Sequence, residues 1–262
     1  MIFAIANQKG GVGKTTTSVN IAASLAAAKR RVLLVDLDPQ GNATMGSGVD
    51  KRALERSAYE VLMGEATVAE VVVKELAAGY DLLPANSDLT GAEIGLLEEI
   101  GRELRLKSAL EPVRSTYSHV IVDCPPSLSM LTVNALVAAD AVIIPVQCEY
   151  FALEGISALV ETVEKIRKFL NPSLHVEGVL RTMFDPRNNL ANEVSQQLVA
   201  HFGSRVYQTV IPRNVRLAEA PSHGLPALAY DKSSAGAMAY LTLAGEMLRR
   251  EEAAGRTSSA PG

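Results

Sequence analysis

Two lysines, three glycines and two threonines fall within eight residues near the N-terminus, Lys9-Gly10-Gly11-Val12-Gly13-Lys14-Thr15-Thr16. Residues of these types at this spacing suit the holding of a polyphosphate. Glycines let the backbone turn successive N–H groups inward around an anion. The Lys14 ammonium is placed to reach the β- and γ-phosphates of a nucleotide, and the Thr15 hydroxyl to bind Mg²⁺. Three acids complete the chemistry. Asp36 and Asp38, in Val32-Leu33-Leu34-Val35-Asp36-Leu37-Asp38-Pro39-Gln40-Gly41-Asn42, invite roles in Mg²⁺ hydration and in placing the attacking water. Asp123 ends the apolar run Val120-Ile121-Val122 and fits a Walker B acid that holds Mg²⁺ through water.

These residues need strands and helices to position them. Ile2-Phe3-Ala4-Ile5-Ala6 reads as a strand, and helical spacing follows the loop at Val19, Ile21, Ala22, Leu25 and Ala26. Strand, glycine loop and helix in that order place a helix N-terminus, with its positive end, at the phosphates. Val32–Asp36, Tyr80–Pro84, Ser118–Asp123, Ala141–Val146 and Leu174–Met183 read as further buried strands, and Val206–Ile211 as the last. Helices are expected over Leu89–Leu110, Glu154–Leu170 and Ala235–Glu252, with shorter ones between Lys51 and Ala78. This alternation predicts an α/β fold, a mostly parallel doubly wound sheet covered on both faces. Residues 1–252 are expected to form a single P-loop ATPase domain, and the small, polar stretch 253–262 a disordered tail.

The loop departs from the general G-x-x-x-x-G-K-[ST] pattern. Gln8 occupies the first glycine position, and a second lysine, Lys9, opens the loop. This is the deviant Walker A form, and it resembles the ParA/MinD branch of P-loop NTPases. Four stretches, IANQKGGVGKTTTSVNIAASLA around the loop itself and then RVLLVDLDPQGNAT, HVIVDCPPSLSMLTVNAL and VIPRNVRLAEAPSHG, narrow the likeness to the ParA/Soj partition ATPases over residues 1 to about 250. The resemblance implies ATP and Mg²⁺ as cofactors, with Lys9 crossing a dimer interface to the partner's nucleotide and Asp38 needed for hydrolysis. It implies nucleotide contacts from the whole loop, Lys9 to Thr16, adenine contacts from Pro212 and Asn214, and metal ligation through Thr15, Asp36 and Asp123. It assigns Arg187 and Arg216 to the DNA backbone. The implied partners are a second copy of the chain, nonspecific double-stranded DNA and a ParB-type centromere-binding protein. The implied location is cytoplasmic and nucleoid-associated.

Composition narrows the alternatives. A net charge of −4 over 262 residues excludes a protein coated in positive charge, and leaves room for a local basic patch. A MinD-like membrane-associated regulator would need a basic amphipathic C-terminal helix. In Arg249-Arg250-Glu251-Glu252 the acids offset the arginines, so no stable membrane association is expected. A nitrogenase-type reductase needs cysteines that bridge a cluster, whereas Cys124 and Cys148 read as buried free thiols. A small-molecule ATP-dependent ligase on the same scaffold is the remaining alternative.

Overall fold

The computed structural model describes residues 1–258. Its strands are β1 (Ile2–Ile5), β2 (Val32–Asp36), β3 (Asp81–Leu83), β4 (His119–Asp123), β5 (Ala141–Gln147) and β6 (His175–Thr182). They form one sheet in the order β3-β2-β4-β1-β5-β6, and every adjacent pair is parallel. Six helices fall before β4: α1 (Lys14–Ala27), α2 (Asn42–Gly46), α3 (Ala58–Met63), α4 (Val68–Val71), α5 (Leu89–Gly95) and α6 (Arg105–Leu110). After it come α7 (Met130–Ala138), α8 (Ala152–Phe169), α9 (Asn189–Phe202), α10 (Val215–Glu219), α11 (Ala227–Tyr230) and α12 (Ala235–Ser258).

The period of two along each strand divides the apolar side chains between two cores. Ile2, Ala4, Leu33, Val35, Val120 and Val122 pack with α3 and α5–α9. Phe3, Ile5, Val32, Leu34 and Ile121 pack with α1 and α12 on the other face. Near-continuous apolar strands are what a sheet covered on both sides demands. β1 lies between β4 and β5, and the chain leaves it first toward β2 and later toward β6. Such a reversal opens a crevice at the carboxyl ends of the strands, and that is where the phosphate loop emerges.

The structure corrects three expectations. Val206–Ile211 is not a strand; it touches β6 through one isolated bridge, Val179 with Val206, and through the Tyr207 and Ile211 amides, which donate to the Val179 and Arg181 carbonyls. Side chains take the intervening backbone groups that a continuous ladder would have used. Glu246 accepts from the Gln208 and Thr209 amides, Arg181 donates to the Tyr207 and Gln208 carbonyls, and Arg250 donates to the Val206 carbonyl. Leu89–Leu110 is not one long helix. Glu99 is extended and Gly101 sits at φ +68°, so the chain breaks between α5 and α6. The last helix continues past Glu252 to Ser258, so the stretch expected as a disordered tail begins as helix; residues 259–262 lie outside the described residues. Cys124 and Cys148 are buried free thiols, as expected. Among the described residues no helix is long and apolar enough to cross a membrane.

Candidate functional site

The loop between β1 and α1 takes its shape from two glycines. Gly11 and Gly13 have φ of +75° and +87°, a region that side chains enter only with strain. Space is not the constraint, since a Cβ on Gly13 would meet nothing nearer than 3.8 Å. Gly13→Ala is therefore expected to destabilise the fold by about 1–2 kcal/mol through backbone strain. Denaturant titration checks this, and an unchanged midpoint refutes it. Backbone anchors fix the loop at both ends. Asn7 donates to the Pro145 carbonyl at 2.7 Å and accepts from the Lys9 amide, while the Thr182 hydroxyl donates to the Val12 carbonyl at 2.8 Å.

Lys14 is buried and curls back over the loop, its Nζ donating to the Lys9 carbonyl at 3.1 Å. Burial lowers its pKa, and the nearby Asp123 carboxylate opposes that shift. Asp36 and Asp123 are register partners at the tips of β2 and β4, and both are fully buried. Burial pushes Asp36 up to about 6, against hydrogen bonds from the Thr44 hydroxyl and amide, both 2.8 Å. Burial and then the charge on Asp36 push Asp123 up to about 8, while the hydroxyls of Thr15 and Ser18 act in the opposite direction. Asp123 Oδ1 accepts from Ser18 at 2.8 Å, and its buried Oδ2 has no hydrogen-bond partner among the described residues. An orphaned carboxylate oxygen beside the Thr15 hydroxyl, in a pair of buried acids, fits a hard cation with oxygen ligands. Asp36 fits that role less directly, because both of its oxygens already accept from the chain.

These raised values fix the sign of a pH effect. Each carboxyl binds its proton more tightly in the fold than in the unfolded chain, whose carboxyls titrate near ~4. The contribution to stability is fully present below that value and is lost as pH rises through about 6 and then about 8. At pH 8, Asp123→Asn should accordingly raise the Tm of the nucleotide-free protein while removing the extra stabilisation from Mg²⁺ with ADP. Thermal unfolding with and without the ligands tests it, and a variant Tm below wild type at that pH contradicts it.

Asp38 lies at the same rim, nearly buried, with Oδ1 accepting from the Gln40 amide at 2.9 Å. Lys9 reaches outward and is ion-paired with Glu149, both side chains half-exposed. Pro212 and Asn214 line a cavity of about 180 Å³ beside Gly13 and Thr16, and the buried Asn214 Oδ1 has no partner among the described residues. A free acceptor there suits an exocyclic amine. The two surface arginines are not brought together with the loop. Arg187 pairs with Asp185, and Arg216 with Glu219 and Asp231.

Sequence reasoning missed the supports of this site: Ser18 on Asp123, Thr44 on Asp36 and Thr182 on the loop. Ser18 follows Lys14 by one helical turn, a spacing that carries the signal; Thr44 and Thr182 carry none, being ordinary polar residues until the strands assemble.

A family model described as an AAA domain matches residues 1–176. The chromosome partitioning protein ParA of Caulobacter vibrioides is 53% identical, over 95% of this chain and 94% of its own length. The chain belongs to the ParA/Soj family. The sporulation initiation inhibitor protein Soj of Bacillus subtilis is 55% identical, over 94% of this chain and 97% of its own. Among solved structures, the cobyrinic acid a,c-diamide synthase of Mycobacterium smegmatis with bound ADP and magnesium is 41% identical with a TM-score of 0.84. It covers 96% of this chain and 95% of its own. The deviant loop, the paired strand-tip acids and the β1-centred sheet are thus set in a ParA/Soj frame.

Proposed function

We propose that this chain is an ATP-dependent dimerising switch that binds DNA without sequence preference. Hydrolysis then releases it, driving chromosome or plasmid segregation with a ParB-type centromere-binding protein. The observation that carries the reading is the division of labour between the two lysines. Lys14 is buried within its own loop beside Asp123, whereas Lys9 lies at the rim, its ammonium held among the described residues only by the half-exposed Glu149. A γ-phosphate brings charge that one buried ammonium offsets in part; a lysine from a facing copy supplies the rest. Mg²⁺, when bound through Thr15 and Asp123, supplies further neutralisation of the phosphates. Asp38 orients the attacking water. Asn214 and Pro212 bind the base.

Pairing two copies doubles the number of phosphates that Arg187 and Arg216 can reach, which steepens both affinity and salt dependence. Interactions of this kind carry no sequence information. Their intramolecular partners, Asp185, Glu219 and Asp231, keep each patch weak in a single copy. The resulting location is the nucleoid, without stable membrane association. Titration of duplex DNA with no nucleotide, with ADP and with ATP at several salt concentrations tests the switch. Retention only in ATP, falling linearly with salt on logarithmic axes, is the expected result; equal retention in all three states overturns it. Arg216→Glu should leave the ATP dimer intact while removing DNA retention and lowering the salt slope by about 0.9 for each phosphate that is no longer neutralised. An unchanged slope would remove Arg216 from the DNA surface.

The Mycobacterium smegmatis neighbour, by its name, favours a second reading as a small-molecule ligase on the same scaffold. The relatives named for chromosome partitioning and Soj share more identity, 53% and 55% against 41%. Release of ADP that depends on cobyrinic acid, with no effect of nucleotide on DNA retention, would favour the ligase.

A further inference from the structure

A cavity of about 730 Å³ lies between β6, the 203–208 turn and the C-terminal half of α12. Four arginines line it, Arg181, Arg205, Arg249 and Arg250, against two acids, Glu177 and Glu246. Two of the four belong to the frame. Arg181 donates to Ser195 Oγ and to the Tyr207 carbonyl, at 2.9 and 2.8 Å. Arg250 donates to Glu246 at 2.9 Å and lies over the Tyr207 ring, 4.2 Å from its centroid. Glu246 is also taken up by the Gln208 and Thr209 amides.

The other two guanidinium groups, on Arg205 and Arg249, are exposed and make no hydrogen bond or ion pair among the described residues. Behind the wall, Arg181 Nε and Tyr207 Oη are buried without partners among the described residues. Buried donors left unpaired are rare in folded proteins, and guanidinium groups accept nothing. The unfilled capacity of this cavity is therefore mainly donor and cationic, which calls for an acceptor-rich anion. Guanidinium forks match phosphate oxygens in geometry as well as charge.

We propose that this cavity is a second ligand site, for a small molecule carrying two phosphate groups, gripped by Arg205 and Arg249. Its walls run into the nucleotide site. Arg181 precedes Thr182, which anchors the phosphate loop, and the Ile211 amide donates to the Arg181 carbonyl at 2.9 Å. The segment that begins in the cavity at Arg205 ends at Pro212 and Asn214 beside the base.

Calorimetric titration of fructose 1,6-bisphosphate into the full chain, saturated with ADP and Mg²⁺, tests the proposal. ADP fills the phosphate loop, and the sugar bisphosphate offers no base to the Asn214 cavity. Saturable binding at one site per chain is expected, weakened about tenfold by Arg205→Glu or by Arg249→Glu and lost in the double variant. Arg30→Glu, a charge reversal on an exposed residue elsewhere, should leave it unchanged. Absence of saturation at millimolar ligand, or equal binding by the double variant, overturns the assignment. So does a double variant that loses only its ATP-dependent retention on duplex DNA while the sugar bisphosphate never binds; that result gives the arginines to nucleic acid. The readout needs neither a dimer nor DNA, so its failure is separable from failure of the switch.

Discussion

Lys14→Ala should lose ATP binding by about three orders of magnitude, from two or more charge-assisted hydrogen bonds of roughly 1.5–3 kcal/mol each. The loss follows from where the ammonium sits. Lys14 opens α1, is buried, and is the cation beside Asp123 at the strand tips. No flexible side chain nearby can replace it, because Lys9 is drawn outward by Glu149. Titration with a fluorescent ATP analogue reads the affinity directly. Circular dichroism in parallel confirms that the variant is folded, and affinity within tenfold of wild type would count against the site.

Asp38→Ala should separate binding from turnover. Hydrolysis is expected to fall by about 10²–10⁴-fold, the usual worth of a group that positions or deprotonates an attacking water. Affinity for ATP should change little, since Asp38 bonds within its own turn, to the Gln40 amide, rather than to the loop. A protein that binds ATP without consuming it should accumulate as the dimer. Sedimentation in ATP and Mg²⁺ measures this, and a variant that stays monomeric contradicts both the role of Asp38 and the link between nucleotide and pairing.

Much of the fold and the site is legible in the residues alone. Apolar runs ending in Asp36 and Asp123 mark β2 and β4 because parallel strands buried on both faces leave only their tips for charge. The loop announces itself because positive φ at Gly11 and Gly13 is a local demand that only certain residues meet comfortably. Where partners lie far off in the chain, the pattern misleads. Residues 206–211 have the composition of a strand, and only Glu246, Arg250 and Arg181 reveal why they form no ladder. The glutamate-rich stretch before β4 has helical period, and the left-handed Gly101 breaks it without disturbing that period. Helices α7 and α9 lie in stretches whose motifs draw attention away from their periodicity. The Asp36–Asp123 neighbourhood is a property of strand order, and alternation along one strand says nothing of which strand comes to lie beside it.

The ion pair between Lys9 and Glu149 changes what subunit association involves. In the proposed pairing, the lysine exchanges one anionic companion for another, and the carboxylate it leaves is freed at the new boundary. Association at that point is thus a swap of a carboxylate for a phosphate, whereas docking on a nucleic-acid backbone, where Arg187 and Arg216 likewise exchange partners, also releases the counterions condensed along the duplex. Raising ionic strength should consequently detach these molecules from chromosomes well before it splits them into single copies.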